Sequence, residues 1–62
     1  MTPQELASLS VGSIIRLEGE EGEIVQAGQT VSIMWPSSKC TNVIDTNSKG
    51  WYDFIGCLEA EN

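Results

Sequence analysis

The sequence predicts an all-β fold: a small five-stranded barrel preceded by a short N-terminal helical turn. Three observations carry that expectation. Thr30 to Trp35 reads T-V-S-I-M-W, alternating apolar and polar residues with period two and rich in β-branched side chains. Short links containing Gly or Pro, such as Ala27-Gly28-Gln29 and Pro36-Ser37-Ser38-Lys39, separate this run from similar runs on either side. A chain of 62 residues holds one domain, spanning 1–62, and closing so short a sheet limits the edges it exposes.

The elements follow in order. Thr2-Pro3-Gln4-Glu5 opens a helix, with Thr2 as cap, Pro3 in the first turn and Glu5 completing a T-x-x-E capping box. Leu6 and Leu9 share a face, and Ser10-Val11-Gly12 ends the element, so the helical segment lies within 1–10. One or two turns of helix are unstable alone in water, so these leucines are expected to dock on the sheet. Ser13 to Glu18 is the first strand, with Ile15 and Leu17 inward. Gly19 and Gly22 bound a turn with Glu20 and Glu21 at its tip. Glu23 to Gln26 is the second strand, contributing Ile24 and Val25 to the barrel wall. In the third, Thr30 to Trp35, Val31, Ile33 and Trp35 face the core, while Ser32 and Met34 face outward. Pro36 cannot donate to a ladder and ends it. Cys40 to Asp45 is the fourth strand, and Thr46 to Gly50 a loop. Trp51-Tyr52-Asp53-Phe54 reads as a short turn or 3₁₀ segment. Ile55 to Glu59 is the last strand, with Leu58 inward, and 60–62 is a fraying tail.

Composition narrows function. Nine acids against Arg16, Lys39 and Lys49 give a net charge of −6. Nucleic-acid binding draws on Lys and Arg to displace counterions, so no direct nucleic-acid binding is expected, and a basic partner suits this surface better. No apolar run approaches the ~20 residues of a membrane span. Met1 to Ser10 carries neither a basic residue nor an apolar core of a secretion signal, so a cytoplasmic protein is expected. In that setting Cys40 and Cys57 are expected to be free thiols, with a bridge between them as the alternative. No histidine is present, so neither a closed zinc site nor histidine acid–base catalysis is available. The reading is of a chain that is not an enzyme and has no metal or cofactor.

The order of motifs carries a resemblance. V-G-S-I-I-R-L, a Gly turn, E-G-E-I-V, T-V-S-I-M-W and a closing C-L-E together resemble SH3-like barrels of the Tudor and KOW type. From Trp35 onward the chain is also similar to the SH3-like repeat of mind-bomb ubiquitin ligases, with Trp35, Thr41, Asn42, Val43, Gly50, Tyr52 and Asp53 in step. It departs from that repeat in two places. Pro36-Ser37-Ser38 replaces an acidic-Gly turn, and Ile44-Asp45 replaces a Tyr-Arg pair, so no role of that arginine transfers. The resemblance spans Val11 to Glu59. It implies an SH3-like fold and, with it, binding of peptides, modified side chains, RNA or other subunits.

The expected contact residues are Trp51, Tyr52 and Asp53, which place aromatics beside a polar loop, together with Glu20 and Glu21. Trp35 and Phe54 are expected in the core instead. Glu18, Glu20, Glu21 and Glu23 form an acidic run without the D-x-D-x-D-G spacing of a calcium loop. Such a run serves either as a solvated turn or as a contact for a basic protein. The first functional reading is a protein- or peptide-binding module, as an accessory subunit or a phage- or plasmid-type accessory protein. The second is an acidic inhibitor that mimics nucleic acid in a basic enzyme channel. The third is a structural homo-oligomer joined through strand edges or the Ile14/Met34 face.

Overall fold

The computed structural model describes residues 1–60. Helix α1 (Pro3–Ser8) starts as its sequence dictates. The Glu5 amide donates to Thr2 Oγ1, and the Thr2 amide donates to Glu5 Oε1, both at 3.1 Å. This box satisfies two amides that the helix itself cannot. Leu6 is fully buried and Leu9 packs against the same core. The N-terminal ammonium of Met1 donates to the Leu58 carbonyl at 3.1 Å, which ties the start of the chain to its end.

Strands β1 (Ile14–Leu17) and β2 (Glu20–Gln26) form a hairpin. Its turn is only Glu18-Gly19, with φ of 52° and 85°. Two consecutive positive φ values are the geometry of a tight hairpin whose twist matches its strands. Glu20 and Glu21 are therefore not the tip of the turn. They lie in β2, opposite Leu17 and Arg16, and Gly22 is a strand residue rather than a turn boundary. Its missing side chain leaves space for Trp35: a Cβ there would lie 2.8 Å from Ile33 Cγ2 and from Trp35 Cε3.

β2 pairs with β3 (Thr30–Trp35) through a bulge. Ile24 opposes Ile33, and the next pair is Gln26 with Ser32, so Val25 is the extra residue. Val25 follows the inward Ile24 and faces outward, 43% exposed, which removes it from the expected wall, and the bulge then sets Gln26 opposite Ser32. β3 keeps its predicted inward face, with Val31, Ile33 and Trp35 all buried. Ser32, expected to face outward, is also buried, and its hydroxyl donates to Gln26 Oε1 at 3.1 Å. β4 (Cys40–Asp45) pairs with β3 along its whole length. Trp35 Nε1 donates to Asn42 Oδ1 on β4 at 2.6 Å, which satisfies the one polar atom of a buried indole.

The largest departure from expectation lies after β4. A 3₁₀ turn (Lys49–Trp51) leads directly into helix α2 (Tyr52–Cys57), where a strand from Ile55 was expected. Of the aromatic cluster only Trp51 belongs to the 3₁₀ turn. Trp51, Phe54, Ile55 and Leu58 are spaced i, i+3, i+4, i+7, the period of an amphipathic helix. Ile55 and Leu58 are fully inward, with Phe54 and Trp51 packed against the core. Among the described residues the final strand β5 spans Glu59–Ala60. It pairs with β1 through Arg16–Glu59 and Ile15–Ala60, so Ala60 is held rather than frayed. The rest of the expected tail, 61–62, lies outside the described residues.

The five strands form one antiparallel sheet in the order β4-β3-β2-β1-β5. Among the described residues no ladder joins β4 to β5, so the sheet is open rather than a closed barrel. Its inner face carries Ile15, Ile24, Val31, Ile33, Trp35 and Ile44, and Leu6 of α1, Ile55 of α2 and Leu58 complete the core. Leu17, expected in the core, is half-buried at its margin. Among the described residues no helix is long and apolar enough to cross a membrane. Cys40 and Cys57 are exposed free thiols, so no bridge joins them.

Candidate functional site

A shallow cleft opens where α1 meets the segment between β4 and α2. Pro3, Gln4 and Ala7 line one side, and Thr46, Asn47 and Tyr52 the other. Local hydrogen bonds shape the second side. Asp45 Oδ1 accepts from the Asn47 amide at 2.9 Å, and the Asp45 carbonyl accepts from the Ser48 amide at 3.0 Å. This is an aspartate turn, for which D-T-N-S is a suitable sequence. Thr46 is buried because both its amide and its hydroxyl donate to the Gln29 carbonyl, at 2.9 and 2.8 Å. The chain is thus pinned to the β2–β3 loop before it turns into the helix.

This arrangement sorts the aromatic residues by role. Trp51 meets Phe54 edge-to-face, with ring centroids 5.5 Å apart and planes at 76°. It is half-buried and packs against the core. Tyr52, the first residue of α2, points the other way. It is 42% exposed and lines the cleft. Asp53 is exposed in the first turn of α2, where a carboxylate favours the positive end of the helix.

The glutamates lie elsewhere. Glu20 and Glu21 open β2, whereas the loop that receives Thr46 follows the far end of that strand. Neither glutamate lines the cleft. Arg16 Nη2 stands 3.9 Å from Glu21 Oε2, both about half exposed, and Glu59 pairs with Arg16 from the other side. An ion pair so exposed adds little stability. The structure therefore separates the expected contact residues into two regions: an aromatic cleft at Tyr52 and an acidic strip along β1, β2 and β5.

The cleft is small and its lining uncharged. Its volume is about 120 Å³, well under the ~300 Å³ where pockets for drug-sized molecules begin. It accepts a side chain better than a whole metabolite. Its lining has amide, hydroxyl and phenol groups and no carboxylate, amine or thiol. Among the described residues no group of three or more Asp, Glu or Cys converges on a metal-ion position. Pro3, Gln4, Ala7, Thr46 and Asn47 were not expected at the site. Only the D-T-N turn is visible locally, and the meeting of α1 with a segment some forty residues later has no short-range signal. No family model, no curated protein and no solved structure matches this chain.

Proposed function

We propose that this chain is a small acidic SH3-like interaction module, non-enzymatic and cytoplasmic, that binds a partner protein or peptide. The observation carrying this reading is Tyr52, a large amphipathic side chain held exposed at the lip of a side-chain-sized cleft. Aromatic residues of this kind supply contact area at low entropic cost, with a polar end to fix orientation. Support for the SH3-like part comes from the strand order, in which the last strand pairs with the first, although helix α2 stands between the 3₁₀ turn and that strand. The barrel in this reading is partly open between β4 and β5.

Selecting peptides from a random display library on the native chain tests the site. Amide shifts on titration should cluster at Thr46, Asn47 and Tyr52, and Tyr52→Ala should weaken binding by about tenfold or more. Binding unchanged in a folded Tyr52→Ala chain would sink the proposal.

A second reading rests on the acidic strip. Glu21, Glu23 and Glu59 lie in or beside β1 on the outward side of the sheet, with Glu18 and Glu20 at the adjoining turn. A strip of this charge suits a basic partner, including a nucleic-acid-binding enzyme whose channel it would fill. In that case selected peptides should be rich in Lys and Arg, and their affinity should fall steeply between about 50 and about 500 mM salt. Salt-independent binding would leave only the cleft.

A further inference from the structure

We infer that the outer edge of β4 is the seam of a two-fold homodimer, in which β4 pairs antiparallel with β4 of a second copy about Asn42. The inference is independent of the cleft and of what binds there.

The hydrogen-bond phase of the β3–β4 ladder carries it. The Thr46 amide donates to the Gln29 carbonyl, continuing the register that pairs Asp45 with Thr30. In an antiparallel ladder, bonded and non-bonded pairs alternate. Asn42 and Ile44 therefore turn their backbone groups toward β3, and Thr41 and Val43 turn theirs away. Consistent with this phase, the Asp45 carbonyl also points off the sheet and is taken by the Ser48 amide. β4 is the terminal strand, and β3 is its only ladder partner among the described residues. Both Thr41 and Val43 are exposed, Val43 at 58%. The strand has no proline, no bulge and no lysine within it, so it lacks the devices that usually blunt an edge.

The choice of a second copy follows from symmetry and charge. Two-fold pairing about Asn42 sets Thr41 of each copy opposite Val43 of the other, and each such pair exchanges both N–H···O bonds. Lys39 lies just before the strand, in a left-handed turn conformation with φ of 56°, and the same two-fold axis brings its long ammonium side chain toward the Asp45 carboxylate of the other copy. The seam is thus self-complementary in backbone groups and in charge. The chain's other clustered acids, Glu18 to Glu23 and Glu59, belong to the β1–β2 turn, β2 and β5, away from this edge. Among the described residues the opposite sheet edge, β5, has two residues and offers a far shorter rail.

Sedimentation equilibrium of the native chain from about 10 μM to about 1 mM should show the mass rising from 6.7 kDa toward twice that value. Val43→Pro deletes two seam donors and no bond to β3, since proline is tolerated where an edge amide faces away from the sheet. It should weaken the dimer at least about tenfold while circular dichroism of the monomer stays native. Lys39→Glu opposes like charges and should also weaken the dimer, and adding Asp45→Lys should restore it. If Val43→Pro does not fold, this charge pair decides the question. A mass of 6.7 kDa at every concentration, a dimer indifferent to Lys39→Glu, or a closed ring of three or more copies would overturn the inference.

Discussion

Gly22→Ala is expected to lower the unfolding free energy by about 1–3 kcal/mol, through overpacking rather than any backbone conformation. The added Cβ would lie 2.8 Å from Ile33 Cγ2 and from two atoms of the Trp35 indole. Neither neighbour can yield easily. Ile33 is fully buried, and Trp35 is 4% exposed with its indole nitrogen fixed on Asn42. The same substitution at Gly56 should act in the opposite direction. Gly56 lies in α2 with nothing within 4 Å of the Cβ position, so alanine there should stabilise by about 0.5–1 kcal/mol through helix propensity. Urea unfolding followed by tryptophan fluorescence measures both. Equal and small effects at the two positions would contradict the packing of Trp35 over β2.

Leu6→Ala should leave the chain largely unfolded. Removing a fully buried leucine costs about 2–5 kcal/mol, and a domain this small has only a few kcal/mol of net stability. Leu6 is the buried residue of α1, and α1 packs on both α2 and β3. Val11→Ala is the control, since Val11 is 62% exposed and should shift stability by no more than about 0.5 kcal/mol. Thermal circular dichroism and amide-shift dispersion report the outcome. A Leu6→Ala chain that melts with the native one would mean that the N-terminal helix is an ornament on the sheet rather than part of its core.

These two residues also mark how far local pattern reaches. The capping box of Thr2 and Glu5 and the alternation of Val31, Ile33 and Trp35 are visible in the sequence, because each depends on neighbours a few residues away. Gly22 looks like turn punctuation for the same reason. Its real constraint comes from Trp35, which is distant in sequence and adjacent only once β2 and β3 pair. The spacing of a helix is present over Tyr52–Cys57, and a division into a 3₁₀ turn over Trp51–Phe54 and a strand from Ile55 cuts across it. Trp51, Phe54, Ile55 and Leu58 keep the helical spacing, while the β-branched isoleucine and the aromatics also suit a strand.

For the candidate site, exposure was legible and assembly was not. Trp51 and Tyr52 are adjacent beside a polar loop, so partial exposure of at least one of them is expected from the sequence. Which of them faces out was decided by the Trp51–Phe54 contact and by Thr46 anchoring on Gln29. The grouping of Glu20 and Glu21 with the aromatics dissolved because a two-residue turn moved both glutamates into β2.

The sequence by itself determined the mostly β character of the fold, the capped start of α1, the inward face of β3 and an acidic composition without histidine. These rest on composition and on periodicities within a few residues. Only the tertiary structure decided the register: the Glu18-Gly19 turn, the bulge at Val25, the room Gly22 leaves for Trp35, and the cleft between α1 and Tyr52. Register and close approach depend on pairs of residues far apart in the chain, whose contact energies no local pattern encodes.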